Sequence, residues 1–414
     1  MARSTTFKYT VTVANPGSGN RYYIDDILQQ YVVLFPGCTY EFNQNDSSNG
    51  GHPLRFSETS NGTHNSGSEY TTGVTTSGTP GSATAFTKIE VTGSTPFLLY
   101  YYCTQHSGMG GDVVVPNNYA SGNMAIFNGG ESPGASNVLD YIDSISSTGN
   151  AKDFGNLSVA NANGNVMSSE TRQVTNGDNT AGNDTYVIQY ATKGNSSFFG
   201  DLTARRWLGG VGGNKIRGIN YSGFQSPGGP NNTIDFCIFA SIGNFIDFGD
   251  ANVASYFDAS CSDSTRTIKA GGISSAPATY TDSIEYVATT STGNGTDFGN
   301  LISAISGSGL GMMCSSTRGV FGGGGSPNTN VIQYITIQST GNATDFGDLT
   351  TARFAPGSAC SSTRGLFAGG ETPSLTNVID YVTIASTSNA TDFGDLTISV
   401  SRHGGGSNGH GGLS

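Results

Sequence analysis

Phe7-Lys8-Tyr9-Thr10-Val11-Thr12-Val13 alternates apolar and polar side chains, the two-residue period of a half-buried β-strand. Shorter runs of the same kind follow. Gln30-Tyr31-Val32-Val33-Leu34-Phe35 and Cys38-Thr39-Tyr40-Glu41-Phe42 flank a Pro36-Gly37 turn. Thr87-Lys88-Ile89-Glu90-Val91, Leu98 to Tyr102 and Val113-Val114-Val115 complete the set. Six or seven strands in residues 1–116 predict a small β-sandwich. No segment of the chain has helical periodicity of useful length.

From about residue 123 the pattern becomes repetitive. Ile332-Gln333-Tyr334 recurs as Leu139-Asp140-Tyr141, Ile188-Gln189-Tyr190, Ile234-Asp235-Phe236, Ile284-Glu285-Tyr286 and Ile379-Asp380-Tyr381. Phe-Gly follows each about twelve residues later, at 154, 199, 248, 298, 346 and 393, with intervals of 45, 49, 50, 48 and 47 residues. Within a unit, residues 364–370 and 377–384 read as strands, Ser386-Thr387-Ser388-Asn389 as a hairpin turn, and Asp392 to Leu396 as another strand. Four short strands per repeat of this length predict a β-propeller of six blades over residues 123–414. Leu396 to Arg402 has the character of the strand missing from the first unit, so the end of the chain is expected to complete the first blade. Pro116 belongs to the end of the first domain, and residues 117–122 read as a linker. The fold class is therefore all-β.

Composition narrows the function. The net charge is −12 and only 12% of residues are charged, against 61 glycines. Phosphate neutralisation needs basic clusters, so no nucleic-acid partner is expected. No window approaches the apolar length of a membrane span, so no membrane insertion is expected. The amino terminus lacks a signal-peptide pattern, which predicts synthesis in a cytoplasm without export by that route. The six cysteines form no dense framework. Cys261, Cys314 and Cys360 occupy matching repeat positions and are expected as buried free thiols. Cys38 is not expected to bridge Cys103.

The densest chemistry lies in Tyr101-Tyr102-Cys103-Thr104-Gln105-His106-Ser107-Gly108-Met109-Gly110-Gly111. A thiolate, an imidazole and a thioether stand three residues apart, and His52 lies upstream in Gly51-His52-Pro53. One Cys, two His and a weak Met are the donors of a trigonal copper centre. The alternative is a loop that has kept this shape without the metal, with Cys103 as a small buried hydrophobe.

Those residues resemble the cupredoxins, with the ligand-loop spacing of amicyanin. The resemblance implies one copper ion held by His52, Cys103 and His106, with Met109 axial. The repeats resemble divergent kelch repeats in their Gly-Gly pair, their Tyr before an aromatic-Gly-x-Leu, and the following Arg206 or Arg353. A Phe stands where kelch repeats carry Trp. The whole, a cupredoxin-like β-sandwich followed by a six-bladed kelch-like β-propeller, resembles virion and tail-fibre proteins of marine bacteriophages, including those of cyanobacteria. That resemblance implies a non-enzymatic structural protein of the virion. It would bind other virion proteins and present its propeller to a host surface glycan or protein.

Two other readings compete: a copper redox protein with a recognition propeller, and a propeller glycan hydrolase or lyase. Catalytic residues cannot be singled out among near-identical repeats. The Asp of Asp-Phe-Gly (153, 247, 297, 345, 392) reads as a turn residue. The arginines 172, 217, 266, 318 and 364 either ring one end of the propeller or pair within their own blades. His403 and His410 sit in a Gly-rich stretch that reads as a flexible tail. Trp207, Tyr221 and Phe224 could stack on a sugar or pack the core.

Overall fold

The computed structural model describes residues 6–413 except 36–37, 93–94, 97, 116–122, 177–181, 275–278, 307–312 and 326. The Pro36-Gly37 turn and the 117–122 linker lie outside the described residues. The chain divides into two compact units, Met1–Ser121 and Gly122–Ser414. Strands dominate both, and among the described residues no helix is long and apolar enough to cross a membrane.

The first unit contains β1 (Thr6–Ala14), β2 (Arg21–Ile24), β3 (Ile27–Leu28), β4 (Val32–Val33), β5 (Thr39–Asn43), β6 (Leu54–Ser57), β7 (Val74–Ser77), β8 (Phe86–Glu90), β9 (Leu98–Cys103) and β10 (Gly111–Val114). They form two sheets, ordered β3-β2-β1-β5-β8-β7 and β4-β10-β9-β6. Alternation puts Val11, Phe42 and Ile89 of one sheet and Phe56, Leu99 and Val113 of the other into a single apolar cluster. The run expected over Gln30–Phe35 pairs only at Val32–Val33, where it lies parallel to β10.

Among the described residues, the second unit contains six sheets of three or four antiparallel strands and a two-stranded ribbon of Glu371–Thr372 with Ser374–Leu375. The sixth, with Gly357–Cys360, Arg364–Ala368, Val378–Thr383 and Thr391–Asp395, is typical. The fifth shows three strands among the described residues. The first is completed from the far end of the chain, as expected, but by a different segment. Gly404–Ser407 pairs with Ala125–Asn128, whereas Leu396–Arg402 stays outside the strand. Three glycines are needed there because no side chain fits. A Cβ on Gly404 would lie 2.3 Å from Val166 and one on Gly405 2.4 Å from the Ser358 carbonyl. The flexible tail expected around His403 and His410 is likewise overturned: both side chains are buried. His410 Nε2 donates to the Ser168 carbonyl (2.8 Å), its Nδ1 accepting from the Gly412 amide (3.1 Å).

Successive sheets are joined by a recurring contact. The amide of the residue two beyond each Phe-Gly pair's Phe donates to an Asn side chain in the next sheet's turn. The pairs are Asn156 to Asn195, Asp201 to Asn244, Asp250 to Asn294, Asn300 to Asn342 and Asp348 to Asn389, at 3.0–3.1 Å. Asp395 to Asn150 links the sixth sheet back to the first at 3.1 Å. The Phe-Gly glycine permits the approach. Gly299 has φ +147°, and a Cβ on it would lie 2.4 Å from the Gly341 carbonyl. The Asp of Asp-Phe-Gly is not a turn residue. Asp153, Asp247, Asp297, Asp345 and Asp392 are exposed strand residues opposite Asp140, Asp235, Glu285, Gln333 and Asp380.

The repeated arginines do not pair within their own sheets. Arg217, Arg266, Arg318 and Arg364 each lie 4.5–4.7 Å from the ring of their own sheet's Phe or Tyr. Each then donates to a carbonyl belonging to the following sheet: Thr289, Ile337, Ile384 and Ile145 respectively. Arg172 does the same at Phe239 (2.8 Å). The middle-strand carboxylates hold the crossovers. Asp380 accepts from Thr350 and pairs with buried Arg353 at 2.8 Å; Asp235 does the same with Thr203 and Arg206.

Three outcomes follow from this packing. Gly299→Ala should lower unfolding stability by more than about 1 kcal/mol in denaturant titration, because both the positive φ and the carbonyl contact forbid a Cβ. Asp380→Ala should cost about 3–5 kcal/mol, since it leaves the Arg353 guanidinium buried without its counter-ion. Asp258 is fully buried with neither carboxylate oxygen hydrogen-bonded. Burial pushes its pKa up to about 7, against the pull of Lys269 and the nearby Ser255 hydroxyl and with the push of Glu285. A carboxyl raised in the folded state binds its proton more tightly there than in the unfolded chain. Stability should therefore fall as pH rises from about 4 to about 7 and level off above. Asp258→Asn should flatten that part of the melting-temperature profile.

Candidate metal centre

Antiparallel pairing of β6 with β9 sets Leu54 opposite Cys103. Residue 52 therefore lies just before the start of β6, level with the loop that leaves β9. Thr104 donates its amide to the Pro53 carbonyl (3.2 Å), holding the loop against that segment. The result brings together three of the four expected ligands. Cys103 Sγ lies 3.9 Å from His52 Nδ1 and 3.7 Å from His106 Nδ1, and the three donor atoms fall within 4.8 Å of one another.

Those separations fit an ion. Bonds of roughly 2.3 Å to sulfur and 2.0–2.1 Å to nitrogen, opened to about 120°, place the two atoms about 3.8 Å apart. A soft thiolate with two imidazoles suits copper or zinc over calcium or magnesium. Cys103 and His52 are buried and His106 is exposed. Burial, and then the neighbouring His106, push the His52 pKa down, which favours the neutral imidazole a metal requires. The His rings sit 4.5 Å apart, tilted by 47°. Met109, the fourth expected ligand, is buried in the same apolar cluster as Cys103.

The surrounding shell holds these groups in place. The His52 amide donates to the Asn49 carbonyl, while its own carbonyl accepts from Tyr22 Oη and Gln44 Nε2, both at 2.8 Å. Its Nε2 lies 3.3 Å from Asn20 Nδ2, which donates to it when the ring proton is on Nδ1. Asn61 receives the Gly108 amide (2.8 Å) and donates to Ser107 Oγ (2.8 Å). Gln29 donates to the carbonyls of Gly108 (3.1 Å) and Gly110. His64 Nε2 lies 2.9 Å from the Cys103 carbonyl. Asn20, Gln29, Gln44, Asn61 and His64 were not singled out in the sequence. Each acts on the backbone or on a ring nitrogen from a distant loop, which leaves no spacing to recognise.

The three rings read as either sugar-stacking or core-packing divide between core and surface. Tyr221 is fully buried in the core of the third sheet. Trp207 and Phe224 form a half-buried pair at 5.3 Å. Their strip continues through Tyr256 (5.1 Å), Phe257 (5.8 Å) and Phe354 (5.3 Å). Leu208, Phe257 and Ala355 hold positive φ along it, with the Phe257 amide donating to Leu208 and the Leu208 amide to Asn163.

None of the six cysteines is in a disulfide, as expected; Cys360 Sγ donates to the Cys314 carbonyl at 3.2 Å. Comparison with known protein families and with curated proteins finds no match.

Cys103→Ala should abolish stoichiometric uptake of copper or zinc in equilibrium dialysis. For the unsubstituted chain, metal at about 100 times its dissociation constant should stabilise the first unit by about 2.7 kcal/mol, read by calorimetry.

Proposed function

We propose that the chain is a non-enzymatic structural protein of a bacteriophage particle, with a cupredoxin-like first unit and a six-bladed kelch-like propeller as its second. The observation that carries the propeller is the circuit of Asn contacts, which runs through six sheets and returns from Asp395 to Asn150. A closed ring leaves no unpaired sheet edge to recruit other chains, a property suited to a protein exposed outside cells. The His52–Cys103–His106 group supports one copper ion as a staple, with Met109 as its weak axial donor. Its binding would favour the folded sandwich over the unfolded chain. The strip from Trp207 to Phe354 is the surface we assign to the host, where half-exposed rings can meet the apolar face of a glycan or a protein loop. Other virion proteins are the remaining partners.

One observation favours a second reading. His106 is exposed while Cys103 and His52 are buried, so an electron could leave a copper ion through an imidazole at the surface. A reversible copper potential with rapid exchange to a soluble redox partner would support electron transfer over a structural staple.

Quantitative proteomics on gradient-purified particles tests the main proposal. The chain should band with the particles at a fixed copy number and stay bound through a high-salt wash. Its loss from washed particles would reject the assignment.

A further inference from the structure

Beside the metal-ligand loop lies a cavity of about 200 Å³, lined among others by Gln29, Ser60, Asn61, Tyr100, Gly108 and Asp112. The backbone around it is held in uncommon conformations. Gln29 and Asn61 both adopt positive φ, 43° and 61°, and each spends its amide on the loop at 107–110. The walls are therefore tied in place before any ligand enters, which reduces the ordering cost of binding.

The chemistry of the lining is selective. Asp112 is its one charged side chain, and the described lining residues include no Lys, Arg or His. An anionic ligand would meet uncompensated repulsion. Tyr100 is half-exposed and feels the Asp112 charge: burial first, then that carboxylate, raises its phenol pKa. An aromatic ring thus stands beside an acceptor able to take two hydroxyls. The volume lies below the range of drug-sized pockets and matches a single small ring. Carboxylates bind hydroxyls through strong charge-assisted bonds, while an aromatic face covers the C–H face of a sugar.

We propose that this cavity binds one neutral hexose unit, stacked against Tyr100 with two hydroxyls donating to Asp112. The site belongs to the first unit, whereas the aromatic strip belongs to the second. It does not depend on the chain belonging to a particle.

Saturation-transfer NMR and calorimetry on the full chain test it, with glucose, galactose and mannose as probes and glucuronate as the charged control. At least one neutral hexose should bind, and glucuronate should bind roughly 10-fold more weakly. Asp112→Asn, a substitution at an exposed position, should weaken the neutral sugar by roughly 10-fold or more with an unchanged circular-dichroism spectrum. Tyr100→Leu should abolish saturation transfer to the sugar's C–H protons. No transfer to any of the three hexoses would overturn the proposal, as would equal binding of glucuronate or unchanged affinity in Asp112→Asn. Loss of the chain from washed particles, with hexose binding intact, would remove the particle assignment alone.

Discussion

Every junction in the second unit rests on one steric permission: a glycine after a phenylalanine lets the next sheet's turn come within contact of its backbone. At Gly155, Gly249, Gly347 and Gly394 a Cβ would stand 2.4–2.5 Å from a carbonyl oxygen of the adjoining turn. That approach brings the turn's Asn side chain to the amide one residue further on. The buried Phe beside each glycine supplies the apolar contact that makes the junction favourable. Arginine adds a second tie by lying across its own sheet's ring and reaching the neighbour's carbonyl. Neither tie needs a charge partner, which accounts for a repeat unit so poor in charged residues.

The first unit solves a different problem. A thiol and two imidazoles must be held close without touching, and the structure does so with strands and amides instead of charge. Pairing of Leu54 with Cys103 sets Cys103 on β9 beside His52 in the segment leading into β6, and a tight loop returns the third ligand. Gln29 and Asn61 then grip the loop from separate segments of the chain. Removing either would loosen the loop without removing a donor atom.

Much of this organisation is legible in the sequence, for physical reasons. Alternation in residues 7–13 and the recurring Ile-x-Tyr and Phe-Gly pairs report side-chain faces directly. Cys103, His106 and Met109 are visible because one loop carries all three. The closing strand is not visible, since Gly404, Gly405 and Gly406 have no side chains with which to write a pattern, and the apolar Leu396 and Val400 nearby draw attention instead. The arginines' partners escape notice because they are backbone carbonyls, which every residue has. Asn342 and Asn389 look like compositional bias until the fold sets each beside the preceding sheet. Sugar-stacking and core-packing stayed open for Trp207, Tyr221 and Phe224 because aromatic type alone does not distinguish a core ring such as Tyr221 from a rim ring.

Completion of the first sheet by Gly404–Ser407 also sets a schedule. Ala125–Asn128 is among the earliest parts of the second unit to be synthesised, yet one of its edges has no partner until nearly 280 residues more have followed. The intermediate sheets can form in passing, each against the one before it. The last pairing must close a very long loop, which slows folding and puts the decisive step late. Once made, that closure must be undone before the outermost sheets can separate, so the unit's persistence is governed by the rate at which a strand of three glycines and a serine lets go.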